Sequence, residues 1–220
     1  MGLRLAHAAV GNDFRADNEG RSGRRPMQHR RRNLLRPAKM AQRHLALDLC
    51  GGRADLVIGA TNEPPSIPNL GWFELGVVEW VFAVSPRHPL AAIDAPLTRE
   101  EIARHRAVVV ADSARTTAGR AYGMLSGQPT LAVPSMRAKT LAQRDGLGVG
   151  WLPRHRVASL LARGDLIEKR TTDPREPNLL YVGWRSGVGD GEGRALQWWL
   201  EQLRQPRLAR RLVQGTDTFA

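Results

Sequence analysis

The densest group of side chains able to hold a ligand is Asp112-Ser113-Ala114-Arg115-Thr116-Thr117, which follows Ala107 to Ala111, a continuous apolar run of strand length. The hydroxyls of Ser113, Thr116 and Thr117 together with the Arg115 guanidinium can grip a carboxylate at several points, because arginine offers a planar fork of donors. The same residues suit a plainer role, with Asp112 or Ser113 capping a helix at a strand-to-helix junction. A second candidate lies at the end of Arg53 to Ala60. There Leu56, Val57 and Ile58 are consecutively apolar, as in a strand covered on both faces of a parallel sheet, and Gly59 then lets the backbone turn sharply. Ligands of open α/β sheets sit beyond the carboxyl ends of the strands, which makes Gly59 to Asn62 a natural cleft lip. The alternative is a core strand followed by an idle loop.

Other chemistries find no support. His7, His29, His44, His88, His105 and His155 show no metal-ligand spacing, and Cys50 has no evident partner. No G-x-S-x-G, phosphate-binding loop or H-E-x-x-H occurs. No catalytic residue, metal ligand or cofactor is therefore assigned, and the chain does not read as an enzyme. Gly146, Gly148 and Gly150 alternate, but they follow a helix and lead into a strand, the wrong order for a dinucleotide turn, so they read as close backbone packing. His88, in His88-Pro89-Leu90-Ala91, reads as a turn residue. Trp198 and Trp199 read as core; no basic stripe accompanies them to support base stacking.

The elements that must position these residues follow from patterning. Val77, Val78, Trp80, Val81, Phe82 and Val84 mark a strand that stops at Ser85-Pro86. Thr98 and Glu101 have capping-box spacing and start a short helix to about Arg104. Ser135, after Pro134, caps a helix through Leu141 to about Asp145, and a glycine-punctuated strand leads to Pro153. Val157, Leu160 and Leu161 share one face of a helix closed by Gly164; Leu166-Ile167 is extended, and Leu179 to Trp184 is a strand. From Glu192, Leu196, Trp199, Leu200 and Leu203 mark an amphipathic helix. Pro64, Pro65 and Pro68 make Glu63 to Asn69 a stiff connector.

The 220 residues are 42% apolar, enough for a core, with no run of the roughly 18 apolar residues that a membrane helix needs. A single cysteine and no secretory-type apolar segment point to the cytoplasm. The net charge is +12, but residues 1 to 52 hold 11 Lys plus Arg against 4 Asp plus Glu, or +7, and the other 168 residues carry only +5. In that first segment Val10 is the only β-branched residue. It is expected to supply no strand and to be a solvated, disordered tail, with a nucleic-acid arm as the alternative.

Arg53 to Ala60, His88 to Ala91, Asp112 to Arg115 and Gly146 to Pro153 occur in the order and approximate spacing of the effector-binding domain of LysR-type transcriptional regulators. The chain resembles that family from about Arg53 to Leu212. The resemblance implies an α/β, two-lobed fold of the periplasmic-binding-protein-like type 2 class, with a small effector held between the lobes; the Arg115 loop makes a small organic anion the expected ligand. Residues 53–86 and 180–212 would form the first lobe with its hinge strands, 87–179 the second, and 213–220 a tail. Gly59, Ala60 and Thr61 would be the effector-binding lip of the first lobe, and Ser113, Arg115 and Thr116 that of the second. The family begins with a winged helix-turn-helix and a dimerisation helix, and its effector domain with a strand, a helix and a strand; residues 1–52 show the pattern of none of these. The first lobe is thus expected to be incomplete and the chain to be truncated or frameshifted upstream of about Gly52. The expected partners are the effector and either a second copy or related regulators, without direct sequence-specific DNA binding and without a membrane. A free-standing solute-binding protein, or non-specific nucleic-acid binding through the basic arm, are the alternatives.

Overall fold

Five consecutive buried residues make β3 (Leu56–Ala60) the middle of the first sheet. The computed structural model of the chain describes residues 4–7, 36–39, 49–61, 67–110, 125, 127–186 and 193–214. It divides into two compact units, one of residues 1–76 and 179–209, the other of 77–178 and 210–220. The sheet of the first unit has the order β2-β1-β3-β10-β4, formed by β1 (Arg4–His7), β2 (Arg36–Lys39), β4 (Leu70–Val78) and β10 (Asn178–Arg185) around β3. β1 runs parallel to both β2 and β3, and β10 antiparallel to β3.

The expectation that residues 1–52 supply no strand is corrected by β1 and β2. Strand formation here comes from backbone pairing, of β1 along β3 and of β2 along β1, and not from β-propensity, which depends on context. β2 is the outermost strand, the place in a sheet where Pro37 is tolerated.

On one side of the sheet Leu49, Ala54, Val57 and Ala60 form a core against Leu70, Trp72 and Tyr181. β4 and β10 interlock through glycines: a Cβ on Gly71 would overlap the Trp184 ring, and one on Gly183 would overlap Trp72. Each indole thus fills the space that the facing glycine leaves empty. α4 (Arg194–Arg204) buries Leu196, Leu200 and Leu203, while Trp198 is 52% exposed, which corrects its assignment to the core. The buried leucines recur at i, i+4 and i+7, and Trp198, two residues after Leu196, points about 200° round the helix. α5 (Pro206–Gln214) follows.

The second unit is built on β5 (Trp80–Val84), flanked by β8 (Gly150–Pro153) and β9 (Ile167–Lys169) in the order β8-β5-β9, all antiparallel. β6 (Ala107–Val110) and β7 (Thr130–Val133) form a parallel pair, and an isolated bridge joins Ala107 to Val149, the residue before β8. A Cβ on Gly148 would lie 2.5 Å from the Arg106 carbonyl oxygen, so this glycine is there for close backbone packing. Val81 and Ala83 face a core with Leu152, Val157, Leu160 and Leu166, where α3 (Arg154–Ala162) packs; Phe82 and Val84 face another with Leu90, Leu97 and Val149. The short helix α1 (Arg99–Ala103) has the reciprocal cap: the Glu101 N–H donates to Thr98 Oγ1 at 3.2 Å, and the Thr98 N–H donates to Glu101 Oε2 at 2.7 Å. His88 is the expected turn residue, its Nδ1 accepting from the Leu90 N–H at 3.2 Å. Burial, and then the neighbouring His105, lower its pKa.

Candidate functional site

Gly59 does more than end a strand. Val182 pairs with Ile58 and Tyr181 with Ala60, so one step along β10 spans two residues of β3 and Gly59 is the extra residue of a bulge. Its φ of 82° lies in the left-handed region that favours glycine, as the bulge geometry requires. A bulge bends the strand and re-aims the residues that follow. Here those are Ala60, buried, and Thr61, half-buried, at the carboxyl end of the strand. Ser113, Arg115 and Thr116 lie outside the described residues, with the run from Asp112 to Thr117; β6 is described up to Val110. The structure therefore describes Gly59, Ala60 and Thr61 together on one strand end, and says nothing of the other three.

The second unit offers a group of residues that the sequence reading missed. α2 (Met136–Arg144) starts at Ser135, whose Oγ accepts from the Ala138 N–H at 3.1 Å, and it packs on β5, β6, β7 and β8. The side it buries is largely polar: Lys139, Thr140 and Gln143 with Ala142. Thr140 donates its hydroxyl to the Met136 carbonyl at 3.0 Å. Gln143 is fully buried, and neither its Nε2 nor its Oε1 has a hydrogen-bond partner. Lys139 keeps 9% of its surface, and burial, followed by the charge of Arg175, depresses its pKa to about 7. The signal in the sequence was indirect. Residues 136 to 144 contain only Met136, Leu141 and two alanines as apolar residues, so a helix here must bury polar ones.

A cavity of about 180 Å³ opens on the other face of the same sheet, walled by Phe82, Leu97, Ile102, Leu125 and Trp151. Its polar rim is paired within the protein. Arg99 bridges Asp173 at 3.3 Å, the Thr171 hydroxyl donates to the Asp173 carbonyl at 3.0 Å, and the Arg175 guanidinium lies 3.5 Å from the Trp80 ring centroid and donates to Asn178 Oδ1 at 3.3 Å. This rim suits a structural contact better than an incoming anion. Among the described residues no three histidine, cysteine, aspartate or glutamate side chains are grouped to hold a metal ion, and no helix is long and apolar enough to cross a membrane.

Comparison with known proteins gives a consistent result. The profile of the LysR substrate binding domain matches residues 39–206. The HTH-type transcriptional regulator YeeY of Escherichia coli is 39% identical over 155 residues, which are 70% of this chain and 49% of that protein. The HTH-type transcriptional activator AllS of Salmonella paratyphi A is 33% identical over 156 residues, 70% of this chain and 50% of that protein. The chain thus spans about half the length of these relatives. Among solved structures, the regulatory domain of MetR, a LysR family regulator from Neisseria meningitidis, superposes with a TM-score of 0.62 at 20% identity, covering 80% of this chain and 81% of that one. The C-terminal domains of a LysR family protein from Agrobacterium tumefaciens superpose with a TM-score of 0.62 at 22% identity, covering 98% of this chain and 99% of the other. These likenesses establish the fold.

Proposed function

The chain belongs to the LysR substrate-binding domain family, and from that premise we propose that it is the sensing part of a cytoplasmic transcription regulator whose effector is a small organic anion. The effector contacts Gly59, Ala60 and Thr61 on the first unit and Ser113, Arg115 and Thr116 on the second. The observation that supports this most is the bulge at Gly59, which uses a left-handed glycine to shape the carboxyl end of a fully buried strand. Such bulges recur beside binding sites, and ligands of α/β sheets sit at strand carboxyl ends. Arg115 supplies the fork for the carboxylate. The chain acts without catalysis or a cofactor, and its assembly is a homo-oligomer or an association with related regulators.

A thermal-shift screen of small organic acids, each paired with its uncharged amide, tests the reading. At least one acid is expected to raise the melting temperature where its amide does not. Titration calorimetry of that acid with Arg115→Ala should show an affinity about tenfold lower or worse, and Arg115→Lys only partial recovery, since charge-assisted hydrogen bonds contribute about 1.5 to 3 kcal/mol each. Equal affinities for the three proteins remove Arg115 from the site. A screen in which no acid acts removes the anionic effector.

A further inference from the structure

Lys139 and Gln143 are one helical turn apart on the buried side of α2, and both press against Gly150 at the start of β8. The position that a Cβ on Gly150 would take lies 2.9 Å from Gln143 Nε2 and 3.4 Å from Lys139 Nζ, so an amide donor and an ammonium converge where the sheet has no side chain. The strands beneath are Trp-Val-Phe-Ala-Val, Ala-Val-Val-Val, Thr-Leu-Ala-Val and Gly-Trp-Leu-Pro, with no titratable group among them. Lys139 takes part in none of the ion pairs of the described residues, and Arg175, whose charge lowers its pKa further, is also positive. A lysine is almost never this buried unless it is paired, and a buried amide without partners is costly. Two such groups side by side have the chemistry of a seat for a negative ligand.

We propose that Lys139, with Gln143 beside it, holds the carboxylate of the effector. Lys139 keeps 9% of its surface exposed, and the Gln143 amide, fully buried and without hydrogen-bond partners, supplies a neutral donor one turn along the helix. This assignment rests on the reading that the chain senses a small organic anion, and it adds a cation from the described part of the second unit to the one expected at Arg115. It also gives Gly150 a role. Any larger residue there would collide with the Gln143 amide, whose Nε2 lies 2.9 Å from the Cβ position, and push the two donors out of place.

The test uses the full chain as wild type, Lys139→Met and Gln143→Leu, with acetate and acetamide as probes at constant ionic strength below neutral pH. Acetate should raise the melting temperature of the wild type and acetamide should not. Lys139→Met should lose the acetate effect, with an apparent affinity at least about tenfold lower, and Gln143→Leu should lose part of it. In the wild type, the NMR signal of the Lys139 ε-carbon should show a titration midpoint that acetate moves upward, a readout independent of whether the variants fold. An unmoved midpoint, or equal acetate stabilisation of wild type and Lys139→Met, overturns the assignment. If an acid from the wider screen stabilises wild type and Lys139→Met alike, effector sensing stands and only the role of Lys139 falls. If no acid stabilises the wild type, the anionic reading falls as well.

Discussion

Replacing Lys139 by Met should change how the stability of this protein depends on pH, by an amount that follows from burial. The ordinary lysine pKa of 10.5 is lowered to about 7 in the folded protein. The difference, 10.5 minus 7, is about 3.5 units, or about 5 kcal/mol at about 1.4 kcal/mol per unit, as an upper figure for the cost of folding with this ammonium buried. Below pH 7 the group is charged in both states and the whole penalty is present. Between pH 7 and 10.5 the unfolded chain holds a proton that the folded one has released, so stability rises with pH across that window and the penalty fades. From pH 6 to 9.5 the wild type should gain about 3 kcal/mol relative to Lys139→Met, whose side chain has nearly the same length and no charge. Urea denaturation of both proteins at several pH values measures this, and their difference cancels the other titrating groups. Parallel curves would refute the reasoning, because an ammonium that stays well hydrated in the folded state contributes no such slope.

Three further outcomes are expected. Gly71→Ala and Gly183→Ala should each destabilise the first unit by about 1–3 kcal/mol in urea melts, since a methyl there overlaps an indole on the facing strand; an unchanged midpoint for either would mean that the interlock yields freely. Thr98→Ala should cost about 1 kcal/mol through loss of the reciprocal cap on α1, and a loss within error would show that the cap is idle. Gly59→Ala, forced into the left-handed region, should lose about 1–2 kcal/mol and weaken any effector that binds the wild type; full affinity would detach the bulge from binding.

Much of the second unit was legible in the sequence because its signals are local. The hydroxyl of Thr98 with Glu101 three residues on, Ser135 after a proline, and Gly164 behind an apolar helix face each act within one turn of chain, and the structure shows α1, Ser135 as the cap of α2, and Gly164 at a φ of 75° after α3. β3 was legible for the same reason. β4 was not, because Gly71 and Gly76 interrupt its apolar pattern, and the use of Gly71 appears only when Trp184 arrives from more than a hundred residues away. β1 and β2 were missed because pairing, of β1 along β3 and of β2 along β1, makes them strands, and no propensity encodes it. At the candidate site, Gly59 could be singled out from its position after an apolar run, but the bulge needed the register of β10. Lys139 and Gln143 could not be found from spacing alone. A polar pair at i and i+4 on a helix ordinarily faces water, and only the packing of α2 on four strands puts this one inside.

The most direct test of effector sensing is to follow the backbone amide signals of the full chain by NMR during titration with the best acid from the screen. The account predicts saturable shifts at Gly59, Ala60 and Thr61, at the same concentrations as the thermal stabilisation. Saturable binding of the acid that leaves all three signals unmoved would contradict it.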